Sequence, residues 1–143
     1  MAECTFFGHR DCPDSIEPIL RKTIEKLIVD NGVNVFLVGD SGNFDKTVFR
    51  VLRDLEGLYN IKIMLVLSKF PKQSDAFNDY SVLPDEVLLA PSRFAIDYRN
   101  RFMLNRCDYV VTYTVCDFGG AFKYETMARK KNKTVINVAA LAD

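Results

Sequence analysis

The sequence has 143 residues, of which 48% are hydrophobic and 27% charged, as expected for one globular domain. Nineteen basic and nineteen acidic residues give a formal net charge of zero, which argues against a strongly basic nucleic-acid surface. No apolar run reaches the ~20 residues of a membrane span, and the N-terminus lacks the pattern of a secretory signal. We expect a cytoplasmic protein with a single domain over residues 1–143, and neither a membrane nor nucleic acid as its partner.

The cysteines and the single histidine bear on redox state and metal binding. Cys4, Cys12, Cys107 and Cys116 form no CxxC pair, so reduced thiols are expected rather than disulfides. His9 would have to meet Cys12 and Cys116 to form a metal site, and their spacing does not favour one. The sequence therefore predicts no metal and no cofactor.

Short apolar runs alternate with helical segments along the chain, which is the pattern of a parallel α/β sheet. The predicted strands are residues 4–7, 33–38, 61–67, 109–113 and 134–138, with a short extra strand at 86–89. The predicted helices are residues 15–31, 44–59, 92–106 and 120–131. Gly32 would end the first helix and Ser92 would cap the third. Residues 68–85 are polar and contain two prolines, which predicts a long irregular loop.

This alternation predicts the fold class. It is α/β, a Rossmann-like three-layer α/β/α domain with a mainly parallel sheet of about five strands. In such a sheet, ligands bind at the carboxyl ends of the strands, where the chain turns into helices. The turns that follow the predicted strands are therefore the places to look for a site.

Three of these turns are rich in glycine. They are Gly8-His9-Arg10, Gly39-Asp40-Ser41-Gly42 and Gly119-Gly120. Glycine lets the backbone approach a ligand closely, and the N-terminus of the helix that follows attracts phosphate. Three such turns at one edge of a sheet predict a site for a nucleotide or a nucleotide-derived ligand.

Charged and aromatic residues near the turns are further candidates for ligand contacts. Arg10 follows the first strand, while Arg93 and Arg99 belong to the helix at 92–106, and the guanidinium fork matches phosphate geometry. Phe44 and Asp45 follow the second turn, where Phe44 could stack on a base. Each has an ordinary alternative, since arginines cover helix surfaces and phenylalanines fill cores.

These motifs resemble the SLOG superfamily, a Rossmann-like group. It includes LOG phosphoribohydrolases, the DNA-processing protein DprA and small proteins of the YspA-like, DUF1273 type, which are the nearest match. Residues 93–138 carry most of the resemblance, which covers nearly the whole chain. The resemblance implies nucleotide binding at the glycine turns, a homodimer, and a place among bacterial or phage proteins that sense signals such as ADP-ribose derivatives.

Comparison with the LOG enzymes bears on catalysis. These enzymes cleave the N-glycosidic bond of nucleoside 5′-monophosphates with an arginine and with the glutamate that ends a PGGxGTxxE motif. Here Arg99-Asn100 stands where the family has Arg-Lys. When Gly119-Gly120 is aligned, Thr126 takes the glutamate position and Glu125 precedes it by one residue. One helical residue is a rotation of about 100°, so the catalytic motif is incomplete.

Three functions stay open from the sequence. The first is a sensor or binding protein that holds a nucleotide-derived ligand without cleaving it. The second is an N-glycoside hydrolase that uses Arg99 and Glu125 on a nucleoside monophosphate. The third is a protein-interaction or oligomerisation domain that keeps only the fold. Recovery of a bound nucleotide intact, or release of its free base, would separate the first two.

Overall fold

The computed structural model describes residues 2–70 and 79–141. Its strands are β1 (Ala2–Gly8), β2 (Val33–Val38), β3 (Lys62–Val66), β4 (Ser81–Val82), β5 (Tyr109–Tyr113) and β6 (Thr134–Asn137). Its helices are α1 (Glu17–Asn31), α2 (Gly42–Glu56), α3 (Asp85–Leu88), α4 (Ala95–Arg106) and α5 (Gly120–Lys130). The six strands form one sheet in the order β4-β3-β2-β1-β5-β6, and every pairing between them is parallel.

Helices cover both faces of the sheet. Neighbouring residues of a strand point to opposite faces, so the apolar side chains of each strand are buried on both sides. Phe6 and Phe36 belong to one apolar cluster with buried side chains of α1 and α2. Their neighbours Phe7 and Leu37 belong to a second cluster with buried side chains of α4 and α5. The predicted three-layer, Rossmann-like α/β/α class is confirmed. The sheet has six strands, where about five were expected, and the short β4 is the extra one.

β1 lies at the centre of the sheet and fixes where a ligand can bind. It pairs with β2 on one side and with β5 on the other. The chain proceeds outward from β1 through β2 and β3 to β4, then returns through α3 and α4 to β5 and β6 on the opposite side. Because the strand order reverses at β1, a crevice forms at the carboxyl ends of β1 and β5.

The segment after β3 differs from the prediction. The short strand predicted at residues 86–89 is wrong, since α3 occupies this position with Asp85 and Glu86 in its first turn, where carboxylates stabilise a helix. The outer strand of the sheet is β4, inside the segment predicted as an irregular loop. Residues 71–78 of that predicted loop lie outside the described part of the chain.

The helix ends agree with the prediction at one position and differ at another. Gly32 ends α1 as predicted, with a φ of 68° and its N–H bonded to the Leu27 carbonyl. Ser92 does not cap α4, because it lies in a 3-10 turn (Ser92–Phe94) and α4 begins at Ala95. Across the described ranges, no helix combines the length and apolar character needed to cross a membrane.

Candidate functional site

A cleft of about 590 Å³ opens at the carboxyl edge of the sheet. A cavity of this size falls in the usual range for small-molecule sites, roughly 300–1,000 Å³. We refer to it as the outer cleft. It is lined by Arg10, Asp40, Ser41, Gly42, Lys46, Ser68, Lys69, Phe70, Val87, Leu88, Ala90, Ser92, Ala95 and Ile96.

A second cavity of about 130 Å³, the inner chamber, adjoins the outer cleft. The two share Arg10, Ser41 and Ile96 as lining residues. The inner chamber is also lined by Phe6, Phe7, Gly8, Asp45, Arg99, Asn100, Met103, Gly120, Ala121 and Tyr124. It therefore brings together predicted site residues from the ends of β1 and β2, from α4 and from the start of α5.

Contacts between the loops after β1 and β2 fix the start of α2. The backbone N–H of Asn43 donates to the Arg10 carbonyl at 2.8 Å, and its side-chain amide donates to the Cys12 carbonyl and to Asp14. Gly42 has a φ of +84°, and a Cβ there would lie 2.8 Å from Arg10 Cα. Any other residue at position 42 would push the two loops apart.

The outer cleft carries a positive charge. Its lining includes the exposed cations Arg10, Lys46 and Lys69, which come from three separate segments. The carboxylate of Asp40 also lines the cleft, but it is ion-paired with Arg99. The N-terminus of α2 adds the positive end of its dipole. Phosphate is the kind of group that this arrangement attracts.

The side chain of Arg99 binds the loop after β2 through Asp40 and Ser41. Only 3% of its side chain is exposed, and its Nη1 donates to Asp40 Oδ1. Ser41 Oγ lies 3.4 Å from the same nitrogen, and Nε donates to Asn100 Oδ1 at 3.2 Å. A Cβ on Gly39 would come within 2.9 Å of Arg99 Cζ. The Arg99 charge is therefore already paired, which leaves the exposed cations for a ligand anion.

Asp45 lies beside this loop with 8% of its surface exposed. The backbone N–H of Ser41 donates to its Oδ2 at 3.0 Å. Burial raises the pKa of Asp45 to about 6, although the hydrogen bond from Ser41 and the attraction of Arg99 and Arg10 oppose the rise. This carboxyl group therefore titrates much closer to neutral pH than an exposed aspartate, whose pKa is ~3.9.

Tyr124, which lines the inner chamber, joins α5 to α4. Its hydroxyl donates to Asp97, which also accepts from Arg101 at 2.9 Å and from Lys123 at 3.2 Å. Burial alone would raise the pKa of Asp97, but these three hydrogen bonds outweigh it and lower the pKa to about 2. Asp97 is thus a carboxylate at neutral pH and keeps Tyr124 in place.

Six predicted site residues line neither cavity, and they are His9, Gly39, Phe44, Arg93, Gly119 and Glu125. Phe44 is fully buried and packs against Gly8 and the ring of Tyr113, so its ring belongs to the core rather than to a base-stacking surface. Arg93 is exposed, and its guanidinium carbon lies 4.8 Å from the centre of the Phe94 ring.

His9 and Gly119 shape the loop between β5 and α5. His9 Nε2 accepts a hydrogen bond from the Val115 N–H at 3.0 Å and lies 3.7 Å from Cys116 Sγ. Gly119 has a φ of +92° and precedes the first residue of α5. In the residues that the structure describes, no group of three or more His, Cys, Asp or Glu side chains could hold a metal ion.

Glu125 faces β5 rather than either cavity. It is 5% exposed and accepts hydrogen bonds from the Thr112 hydroxyl at 3.0 Å and the Thr114 hydroxyl at 2.7 Å. Arg129 forms an ion pair with it at 3.5 Å. Arg99 and Glu125 therefore contact different groups and do not pair with each other, and Glu125 is not among the residues that line the two cavities.

Six polar lining residues are absent from the predicted site, and they are Lys46, Ser68, Lys69, Ser92, Asn100 and Tyr124. Lys46 follows the second glycine turn, and Lys69 follows the third predicted strand. Both could have been found by examining the carboxyl end of every strand rather than the glycine turns alone. Asn100 and Tyr124 reach the inner chamber because of how α4 and α5 pack, for which the sequence carries no local signal.

Comparisons with known proteins identify the fold. No family model matches the chain, and no curated protein matches it. DNA processing protein A (DprA) from Streptococcus pneumoniae superposes with a TM-score of 0.69 at 19% identity, and DprA from Helicobacter pylori with 0.63 at 15%. Each match covers 94% of this chain but only 49% and 63% of the respective DprA chains. This chain shares the fold of DprA.

The expectation against a nucleic-acid partner is wrong. The Helicobacter pylori DprA structure is described by its single-stranded DNA binding mode, and this chain shares its fold. Net charge is a property of the whole chain, whereas a nucleic acid responds to the local charge of the surface that it contacts. A formal net charge of zero therefore does not exclude nucleic acid for this fold.

Proposed function

We propose that this protein binds a nucleotide or nucleotide-derived ligand at the carboxyl edge of its sheet, as a binding or sensor protein. The observation that carries the proposal is the convergence of Arg10, Lys46 and Lys69 around the N-terminus of α2 in a cleft of about 590 Å³. Exposed cations beside a helix N-terminus match the charge and hydrogen-bonding needs of phosphate.

The apolar lining of the outer cleft suits the base of a nucleotide. Val87, Leu88, Ala95 and Ile96 from α3 and α4 form it, together with Phe70 from the segment after β3. Ligand sites commonly combine an apolar lining with a few polar groups that orient the ligand. A ligand with one anionic end and one flat apolar end matches this division.

A second candidate is single-stranded nucleic acid. Phe70 lines the outer cleft and is 61% exposed. Phe94 and Tyr98 flank the lining residues Ala95 and Ile96 in the sequence and are 43% and 42% exposed. Aromatic side chains next to a cationic groove are the general means of binding single strands, because bases stack on them. The DprA from Helicobacter pylori, described by such binding, supports this candidate.

A binding panel tests both candidates. Calorimetry and thermal shift would be measured with nucleoside mono-, di- and triphosphates, NAD, ADP-ribose and its cyclic forms, cyclic dinucleotides and a labelled single-stranded oligonucleotide. We expect a nucleotide to bind and to be recovered intact by chromatography. Binding of the oligonucleotide alone would replace the first candidate with the second, and binding of neither would leave the protein-interaction function.

Removal of cations from the cleft tests the location of the site. Lys46→Ala combined with Lys69→Ala should weaken nucleotide binding about tenfold or more, because each phosphate contact with a charged donor contributes measurably to affinity. The matched control is Lys22→Ala with Lys26→Ala, which removes two exposed lysines from α1, away from the cleft. Equal affinity in the two double variants, measured by calorimetry, would move the site elsewhere.

We also propose that the chain is a SLOG protein of the YspA-like, DUF1273 type. Its glycine turns and the Arg99-Asn100 pair support this assignment. This assignment implies a bacterial or phage origin, a cytoplasmic location and a homodimer. Light scattering on the purified protein would test the homodimer directly.

A further inference from the structure

Asp45 has one carboxylate oxygen that accepts no hydrogen bond from the described residues, although the residue as a whole is buried. Its Oδ2 accepts from the Ser41 N–H, but no donor within residues 2–70 and 79–141 reaches its Oδ1. The residue is only 8% exposed, and its Oδ1 is not one of the fully buried atoms without a partner, so this oxygen keeps a small accessible surface. Since Asp45 lines the inner chamber, a donor that enters the chamber could supply the missing bond.

A purely structural role explains only one of the two oxygens. Oδ2 satisfies the N–H of Ser41 at the start of α2, as acidic residues often do near a helix N-terminus. Arg99 attracts the carboxylate, but its own hydrogen bonds go to Asp40, Ser41 and Asn100. The second oxygen of Asp45 is therefore available to a ligand.

The size and charge of the inner chamber restrict what can enter it. Its volume of about 130 Å³ corresponds to about four water molecules at ~30 Å³ each, enough for a small group but not for a whole nucleotide. A carboxylate repels phosphate and accepts from hydroxyl groups. Arg10 lines both cavities, so a phosphate bound by Arg10 would bring the adjoining sugar to the chamber.

We propose that the inner chamber binds the ribose of the nucleotide and that Asp45 accepts a hydrogen bond from a ribose hydroxyl. The site then selects ribonucleotides over deoxyribonucleotides. This inference rests on the proposed function, because it assumes that the phosphates bind in the outer cleft.

Calorimetry with ATP and GTP and with their 2′-deoxy and 3′-deoxy analogues tests the selectivity. We expect one deoxy analogue to bind about tenfold to a hundredfold more weakly than its parent, the usual effect of losing a hydrogen bond to a charged group. Equal affinity for parent and both analogues would overturn the inference and leave the proposed function standing. If another nucleotide of the binding panel binds instead, its deoxy analogues replace those of ATP and GTP, and failure of the whole panel to bind would remove the proposed function and the inference with it.

Two substitutions on α2 assign the selectivity to a residue. Asp45→Asn keeps the shape of the side chain and an oxygen for the Ser41 N–H, but it removes the charge and replaces the second acceptor oxygen with an amide NH2 that can only donate. In this variant, we expect parent and deoxy analogue to bind within about threefold of each other. Asp54→Asn, which changes a 57% exposed side chain on the same helix, should keep the wild-type ratio. A folded Asp45→Asn protein with the wild-type ratio would overturn the role of Asp45.

Discussion

Asp45 lowers the stability of the protein at neutral pH, because its charged form is buried. Its pKa in the folded protein is about 6, above the ~3.9 of an unfolded chain. The folded state therefore holds the proton more tightly than the unfolded state does. The stabilisation that this proton provides is fully present below about pH 4 and is lost as the pH rises through 6.

Asp45→Asn should therefore stabilise the protein in a pH-dependent way. At pH 7.5 we expect the free energy of unfolding to rise by up to about 3 kcal/mol, since a shift of one pKa unit corresponds to ~1.4 kcal/mol. The gain should shrink toward zero near pH 4, where Asp45 is protonated in the folded protein and about half protonated in the unfolded chain. Urea denaturation at pH 4, 5.5 and 7.5 measures this, and a gain that is the same at all three values would contradict it.

At the scale of elements, Glu125 joins α5 to β5, because its two carboxylate oxygens accept from the hydroxyls of Thr112 and Thr114. Thr114 also accepts a hydrogen bond from the Asn137 amide at 2.9 Å, so that β5, β6 and α5 are held together by one polar network. The incomplete LOG motif is consistent with this arrangement, because its glutamate position falls on Thr126.

Glu125→Gln tests whether this residue acts on a ligand. We expect a loss of about 1–2 kcal/mol in unfolding free energy, since an amide cannot accept from both threonine hydroxyls. Nucleotide affinity should stay within about twofold of wild type, because Glu125 lines neither cavity. Release of free base by the wild-type protein, lost in a stable Glu125→Gln variant, would instead establish the hydrolase.

The sequence predicts long elements better than short ones. Helices of 15 residues such as α1 and α2 show a periodicity that a strand cannot imitate. The four residues of α3 form a short apolar segment that suits either structure, and its identity depends on packing against α4. The two residues of β4 carry no pattern of their own.

At the scale of the molecule, the cations of the outer cleft are collected from distant parts of the sequence. Arg10, Lys46 and Lys69 meet only because parallel strands end at the same edge. The sequence therefore predicts the carboxyl edge of the sheet as the binding site, together with several of its residues. It cannot predict which of the charged side chains there are already neutralised by ion pairs within the fold. The pairing of Arg99 with Asp40, 59 positions away, is of this kind.

Binding at this edge should stabilise the whole domain. A nucleotide at a hundred times its Kd adds about 2.7 kcal/mol, which for a chain of this size raises Tm by roughly 5–10 °C. Because the cations are exposed, the shift measured at one fixed nucleotide concentration should fall when sodium chloride is raised from about 50 to about 500 mM. Thermal melts at both concentrations check this, and a shift insensitive to salt would argue against phosphate contacts with these cations.

The close packing around Gly8 and Gly42 has a consequence for mutational surveys. A Cβ at position 8 would overlap the Phe44 ring at 2.2 Å, and one at position 42 would meet the Arg10 backbone. A saturation-mutagenesis map scored by cellular abundance should therefore mark both glycines as intolerant whether or not a ligand exists. Lys46 and Lys69 should tolerate nearly every substitution in such a map and become constrained only under selection for binding. In this protein, the glycines would report on folding and the lysines on function.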